Sequence, residues 1–472
     1  MFIIDNLIRP NVKNFIKSLR DMGYNFDIAV ADIIDNCISA NAKEIYIEDS
    51  DNDASPMLTI LDDGVGMNRE ELINAMRLGS KDPDNDRNEN DLGRFGLGLK
   101  TASFSQCTKL TVVTKQGSEI NALKWDLEYI IEKDDWYILS PSIDELNAYS
   151  QFKKLQSFDS GTLVIWENID NLDSTNFIDV LHSLRKHLAL VFHRFLEGEF
   201  PKIDIYLNNN YIEPFNPFNE KNIATQRLEM ERFKLPNEQD FVKVQPFILP
   251  HHTKVSRYDY EVYGTKEGYT KTQGFYLYRA GRLLIHSTWW GLAKISEAHK
   301  LIRIKIDIPN NQDSLWNIDV KKSTARPNNI IKKELHRIID KVLKQGTRIY
   351  TGRGKMINTM DNSIPFWSSK IDENEIKFVV NKEHPFFNLI KEYSTDASLL
   401  ESYIQSLAAY LPIQLIHSHL VSNPQKINQN SLLSDDELDE LANKIKTLNL
   451  DENFLQSLMD SGVFKDKGDL LK

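Results

Sequence analysis

The stretch DLGRFGLGLKTAS, residues 91 to 103, places Gly93, Gly96 and Gly98 just ahead of Lys100. Glycines at this density let a backbone bend closely around an anion. The residues that follow, Thr101 to Ser105, read as a helix, and the free amides and dipole of its first turn favour phosphate. Two common phosphate folds do not fit, because no GxxxxGK[ST] is present and the segment does not follow a first strand as a dinucleotide fingerprint should. The segments on either side must decide what the glycines serve.

Upstream, NFDIAVADIIDNCISA (25–40) spaces Phe26, Ala29, Val30, Ile33, Cys37 and Ala40 three and four apart, which predicts a helix with Asn25 or Asp27 able to cap it. Asp32 and Asn36 lie one turn apart on it, so a carboxylate and a metal-binding amide can meet at one point, as a triphosphate site needs. Taken alone, the pair fits equally well two polar residues on the wet side of an amphipathic helix. KEIYIED and MLTILDDGVGM read as strands, and REELINAMRLGS as a helix stopped by Gly79. Asp62, at the end of the second strand, can accept a hydrogen bond from an exocyclic amine, while Gly64 and Gly66 leave bare backbone for a ring to approach. An acidic turn between strand and helix is the plainer alternative. The acidic stretch between Gly79 and Leu92 has no apolar periodicity and reads as a solvated, mobile loop.

With 472 residues, 41% of them hydrophobic and 26% charged, the chain is expected to hold two or three globular domains with substantial cores. Its net charge of −11 excludes a general affinity for nucleic acid, so any DNA surface must be local. The start, MFIIDNLIRPNVKNF, carries neither a charged leader nor a small-residue cleavage site, and no later stretch approaches ~18 uninterrupted apolar residues. A cytoplasmic location without a membrane partner is therefore expected. Cys37 and Cys107 read as reduced packing residues, and the histidines show no zinc spacing.

Downstream of the glycines, TKLTVVTK, INALKWDLEYI, WYILS and GTLVIWENI carry strand content, NFIDVLHSLRKHLALVFHRFLEG predicts one long amphipathic helix, and KIDIYLNNNYIEPF a hairpin. A first domain mixing helices with a largely antiparallel sheet thus covers 1–215. DFVKVQPFIL, GFYLYRAGRLLIH with an Ala-Gly turn, LIRIKIDIP and a helix from about Asn328 to Gln345 make a second α+β domain over 216–350. Residues 351–472 read as mostly helical with a linker.

The ordered set DIIDN, DDGVGM, GRFGLGLK and the Gly161-Thr162 of SGTLVIW resembles the GHKL ATPase superfamily of gyrase B, MutL, a heat-shock chaperone class and the histidine kinases, over roughly residues 10 to 210. The resemblance implies an α+β fold with a Bergerat-type ATP-binding α/β sandwich, ATP and Mg²⁺ as ligands, and a lid formed by the acidic loop 79–92. It implies that Asp62 binds the adenine amine beside Gly64, Gly66 and Met67, that Thr162 joins the adenine water network, and that Asn36 holds Mg²⁺. Gly93, Arg94, Phe95, Gly96, Leu97, Gly98, Leu99 and Lys100 would wrap the phosphates. Asp32 falls where hydrolysing members carry a glutamate general base; its side chain is one methylene shorter, so slow hydrolysis is expected. Ser39 replaces an aspartate frequent in this helix.

The second domain resembles the transducer domain of the superfamily's DNA-linked branch, with a βαβ crossover and a lysine reaching back to the γ-phosphate. In WNIDVKKSTARP both Lys321 and Lys322 are candidates, and on an extended strand they point to opposite faces, so only one can enter the site. GFYLYRAGRLLIH, HSTWWGL, LIRIKIDIPN and IDVKKSTARP look most like the prokaryotic MORC-like ATPases. That likeness implies a homodimer closing on ATP, DNA handling, and a place in restriction or phage defence.

Between Lys321 and Lys355 eleven Lys or Arg stand against Glu334 and Asp340. On a helix Lys333, Arg337, Lys341 and Lys344 fall on one face that can track double-stranded DNA through counterion release; a solvated helix face is the alternative. Tyr278, Trp289 and Trp290 read as core or subunit interface before a contact surface. A histidine kinase is a disfavoured alternative, since the residues ahead of the Asp32 helix carry no histidine. A chaperone-like or scaffold protein with negligible turnover is the second reading, and the C-terminal helices are expected to dimerise or recruit a partner protein.

Overall fold

The computed structural model describes residues 11–21, 23–50, 56–79, 98–172, 177–235, 241–251, 254–265, 267–313, 315–319, 322, 324–356, 366–372, 375–413, 416, 435–448, 450–460, 464 and 470–471. They divide into two compact units, Met1–Leu249 with Tyr263–Val342, and Pro250–Val262 with Leu343–Lys472.

In the first unit, Asn11 caps helix α1 (Val12–Arg20), and Asn25 caps α2 (Phe26–Ser39) by accepting from the Ile28 amide at 2.9 Å. Strands β1 (Glu44–Ser50) and β2 (Met57–Asp62), helices α3 (Arg69–Met76) and α4 (Gly98–Gln106), and strands β3 (Cys107–Gln116) and β4 (Glu119–Asp126) follow. Short helices α5 (Leu127–Lys133), α6 (Ile143–Leu146) and α7 (Ser150–Ser157) lead to β5 (Ser160–Ile169), α8 (Phe177–Val191), α9 (His193–Leu196), β6 (Asp204–Leu207) and β7 (Asn210–Tyr211). The strands form one sheet in the order β4-β3-β5-β2-β1-β6-β7, antiparallel throughout except where β1 runs parallel to β6.

Alternation along the strands divides the core in two. Ile60, Val112, Val164 and Trp166 face the layer made by α1, α2, α4 and α8, while Leu61, Val113, Leu163 and Ile165 face α6 and α7. The expected one-sided burial of α2 is exceeded: Asp32 and Asp35 are as buried as Ala29, Ile33 and Ile34. The cause is a second cover, described below. Three other segments depart from their expected form. INALKWDLEYI stops being a strand at Asp126, whose side chain caps α5 through the amides of Glu128 and Tyr129. WYILS contributes only a single bridge, Leu139 to Lys124. The long helix breaks at Phe192, where the backbone leaves helical angles (φ −104°, ψ 12°) before α9.

The second sheet holds β8 (Gln226–Arg227), β9 (Glu231–Lys234), β10 (Phe241–Ile248), β11 (Gly274–Arg279), β12 (Arg282–Thr288) and β13 (Ile302–Ile308), in the order β12-β11-β13-β10-β8 with β9 also on β10. Helix α10 (Arg257–Gly264) lies between β10 and β11 in sequence. The expected Ala-Gly turn joins β11 to β12, with both Ala280 (φ 46°) and Gly281 (φ 86°) left-handed, as a two-residue hairpin of this twist requires. β11 and β13 are parallel neighbours, but the connection between them holds β12 and the short 3₁₀ turn Glu297–His299 where a βαβ crossover helix was expected. Helix α11 (Asn329–Met356) buries Ile331, Leu335, Ile338, Ile339 and Val342.

The second unit contains the hairpin β14 (Trp367–Asp372) and β15 (Glu375–Val380), which the helical reading of this region missed. Around it stand α12 (Pro385–Glu392), α13 (Ala397–Ala409), α14 (Asp435–Lys446) and α15 (Glu452–Asp460), with Leu389, Leu438, Ala442, Ile445 and Leu458 in their core. Among the described residues no helix is long and apolar enough to cross a membrane.

Trp166 ties the first sheet to its helices. It is 1% exposed, stacks edge-on with Phe26 of α2, and donates to the Ser103 hydroxyl of α4 at 2.8 Å. Trp166→Ala is expected to cost ~3–5 kcal/mol in a denaturant titration, through the cavity and the lost bond to Ser103.

Candidate functional site

Two clusters meet on α2. The first lies at the sheet end. Registration places Asp62 on β2 opposite Thr162 on β5, and Thr162 opposite Thr114 on β3, so three polar side chains stand in one row across the sheet. Asp62 is 3% exposed, and one carboxylate oxygen accepts from the Gly64 amide at 2.8 Å. Burial pushes its carboxyl up to about 6, against the opposing pull of that amide and of the Cys37 thiol from α2. Thr114 accepts from the Met67 amide at 2.8 Å and donates to the Gly161 carbonyl at 3.2 Å, and its hydroxyl stands 3.4 Å from that of Thr162. The glycines serve the corner's own packing: a Cβ on Gly64 would lie 2.8 Å from the Asp62 carboxylate, and one on Gly66 (φ +66°) 2.0 Å from the Lys115 carbonyl.

The second cluster explains why the acids of α2 are buried. Asp32 and Asp35 are 3% and 1% exposed. The Lys322 ammonium lies 2.5 Å from Asp35 Oδ2 and 3.3 Å from Asp32 Oδ1. Arg282, the first residue of β12, brings Nε within 2.8 Å of Asp35 Oδ1 and Nη2 within 3.7 Å of Asp32 Oδ1. The remaining Asp32 oxygen accepts from the Tyr24 hydroxyl at 3.0 Å. Burial raises the Asp32 carboxyl above the ordinary carboxylate range; Lys322 and Arg282 pull it down, and Asp35 pushes it up. Burial and the Asp32 charge raise the Tyr24 hydroxyl in turn, so Tyr24 is a neutral donor. The first residue of α4 closes the space: a Cβ on Gly98 would point at Asp32 Oδ2 from 4.0 Å.

The structure thus gathers Asp32, Gly98 and Lys322 around the middle of α2, and Asp62, Thr162, Gly64, Gly66 and Met67 around the other cluster. Asn36, one turn beyond Asp32, is exposed, as a residue presenting an amide to a ligand must be. Leu99 packs against the core, and the Lys100 ammonium donates to the Ala75 carbonyl at 2.9 Å. Gly93, Arg94, Phe95, Gly96, Leu97 and Lys321 lie outside the described residues, as does the lid loop from Ser80 onward. Tyr24, Asp35, Thr114 and Arg282 were not singled out from sequence. Asp35 alone carried a local signal, as the second acid of DIIDN.

On α11, Arg337 pairs with Glu231 and Glu334, and Lys341 with Glu229 and Glu231. Half of the expected basic face is therefore already matched by acids, and the Lys344 side chain is outside the described residues. Tyr278 and Trp289 are core residues, Tyr278 bonded to His193 Nε2 at 2.8 Å. Among the described residues no group of three or more His, Cys, Asp or Glu is placed to hold a metal. Magnesium needs no such cage, since it keeps waters and phosphate oxygens and takes one or two protein oxygens, a demand the Asn36 amide fits.

Residues 24–162 match the family described as histidine kinase-, DNA gyrase B-, and HSP90-like ATPase. The chain is 34% identical over 110 residues to ATPase morc-1 of Caenorhabditis elegans, covering 23% of this chain and 12% of that protein. It is 28% identical over 180 residues to ATPase MORC2B of Mus musculus, 31% of this chain and 17% of that one. It is also 27% identical over 192 residues to the chaperone protein HtpG of Natranaerobius thermophilus, 38% of this chain and 28% of that one. The matches thus cover less than a third of these relatives' lengths. Residues 24–162, with their carboxylate-bearing helix and polar row, form an ATPase domain of the gyrase, HSP90, histidine kinase and MutL superfamily, similar to the MORC ATPases.

Proposed function

We propose that the protein is a slow, ATP-driven switch in which one buried cation cluster reads the nucleotide. The observation that carries this reading is the contact of Lys322, from the second sheet's side of the first unit, with Asp32 on α2. A triphosphate entering at the start of α4 competes with two carboxylates for that ammonium, and its γ-phosphate attracts it more strongly than a diphosphate does. The row of Asp62, Thr162 and Thr114 receives adenine: the carboxylate accepts from the exocyclic amine, and the threonines hold water beside the ring. Asn36 offers an amide oxygen to Mg²⁺, which when bound neutralises charge on the phosphates. Asp32, with a carboxyl raised by burial and oriented by Tyr24, takes the proton of the attacking water; its short side chain and its engagement with two cations favour slow turnover.

ATP-gated pairing of two chains and a site on double-stranded DNA complete the reading. The excess of Lys and Arg in the Lys321–Lys355 run supports DNA, and exposed ion pairs such as Lys341 with Glu231 are worth only ~0.2–1 kcal/mol, so phosphates can displace them. A role in prokaryotic restriction or phage defence follows from the family likeness, and the C-terminal helices dimerise or recruit a partner protein. The buried state of Asp32 and the HtpG relatives favour one alternative, a nucleotide-gated scaffold without turnover.

Phosphate release at fixed low salt, with and without long double-stranded DNA, separates the two. Slow turnover that DNA accelerates and Asp32→Asn lowers by ~100-fold or more supports the switch; nucleotide binding with turnover no higher than that of the variant supports the scaffold. Asp62 sets a second expectation. Its carboxyl is raised to about 6, so it is ionised above that pH and protonated below. Binding of a fluorescent adenine nucleotide is expected to weaken as pH falls through about 6, and Asp62→Asn, which does not titrate, to bind weakly at every pH. Thr114→Val removes the acceptor of the Met67 amide and is expected to weaken the same nucleotide by ~10-fold, measured calorimetrically.

A further inference from the structure

We propose that Arg282 is a positioning residue for hydrolysis: through Asp35 and Asp32 it keeps the Asp32 carboxylate charged and aimed once Lys322 has turned to the γ-phosphate. The inference rests on the ATPase reading above and concerns a group to which that reading assigns no task.

Each carboxylate of the pair touches both cations. When Lys322 leaves, two acids three residues apart on one helix are left with Arg282 alone. Without it the charged form of Asp32 has no cation beside it, and a protonated Asp32 cannot accept a proton from water. The two cations are unequally free to move. Lys322 sits in the connection between β13 and α11 and carries a flexible four-carbon stem. Arg282 is 4% exposed, starts a strand directly after a two-residue turn, and has its guanidinium 5.8 Å from the Phe192 ring centre. Its planar fork spans both acids at once, which a point charge cannot do. Arg282 Nε and Asp35 Oδ1 are close without the alignment of a hydrogen bond, so charge holds this contact and the fork can settle further onto Asp32.

The other groups facing Asp32 among the described residues do not replace this role. Tyr24 is a neutral donor, its hydroxyl proton held by burial and by the Asp32 and Asp319 charges, and His187 of α8, which faces Arg282 and Asp35, is driven by burial down to about 3 and is uncharged. The geometry therefore predicts opposite effects for the two ends of the pair. Arg282 favours the charged form of Asp32, and Asp35 opposes it. Removing the first raises the pH at which Asp32 becomes a base; removing the second lowers it.

The test is the pH profile of kcat for phosphate release, with binding of a fluorescent ATP analogue measured beside it. Arg282→Met is expected to move the acid limb up by about one pH unit and to cut kcat at neutral pH by ~10-fold, with recovery at higher pH and nucleotide binding retained. Arg282→Lys should move it less. Asp35→Asn should move the limb down. A merely structural loss cannot displace the limb in two directions. Unmoved limbs in both variants, with binding intact, overturn this inference alone. A wild type that binds the analogue yet releases no phosphate at any pH overturns the hydrolytic reading and this inference with it. If circular dichroism shows Arg282→Met unfolded, Asp35→Asn decides by sign: a downward shift supports the role, and no shift or an upward one ends it.

Discussion

Two carboxylates on one helix cannot be buried together unless positive charge is buried with them. In this chain Asp32 and Asp35 meet that condition with Arg282 and Lys322, the latter pair member lying 290 residues from Asp32. The packing of α2 therefore waits on chain that is made long after it. Everything else about the site follows from this constraint: the hairpin that delivers Arg282 must dock, the segment bearing Lys322 must return, and the first sheet with its helices falls into one compact unit with the second sheet. Breaking a buried pair from one side generally costs about 3–5 kcal/mol, because it leaves an uncompensated charge. A helix that carries catalytic chemistry has thus been made dependent on a distant sheet, and the same contacts that stabilise it are the ones a triphosphate must rearrange.

Much of the first sheet was legible because its signals are local. Alternation marked β1, β2, β3 and β5, the Ala-Gly pair marked the β11–β12 turn, and the three-and-four spacing from Phe26 to Cys37 marked α2. The failures are places where tertiary context outweighs pattern. DLEYI has strand content, yet Asp126 caps a helix there; α8 has a helical pattern running past Phe192, yet the chain breaks. The hairpin β14–β15 alternates at Ile376, Phe378 and Val380, a strand signal too short to stand out in a region otherwise read as helices and linkers.

The site divides along the same line. Asp62 could be found because it ends a strand before a glycine corner. Thr114 could not, since its place beside Thr162 depends on the register of β3 against β5, which no local stretch encodes. Arg282 looks like any basic residue in a strand until the hairpin is folded against α2. The choice between Lys321 and Lys322 was open for a similar reason: the sequence shows two neighbours, and only a fold can say that Lys322 reaches the acids. The glycines of DDGVGM were expected to leave room for a ring, whereas the space at both is already filled by the protein.

The backbone at Lys322 is left-handed, with φ 55°, a conformation that costs a non-glycine residue roughly 1 kcal/mol or more. Glycine would relieve that cost and asparagine would lessen it, but neither carries an ammonium. The buried acids oppose any relief of this strain: leaving Asp32 and Asp35 without the Lys322 ammonium costs more than a relaxed backbone would return, so lysine is fixed at a position whose backbone suits glycine.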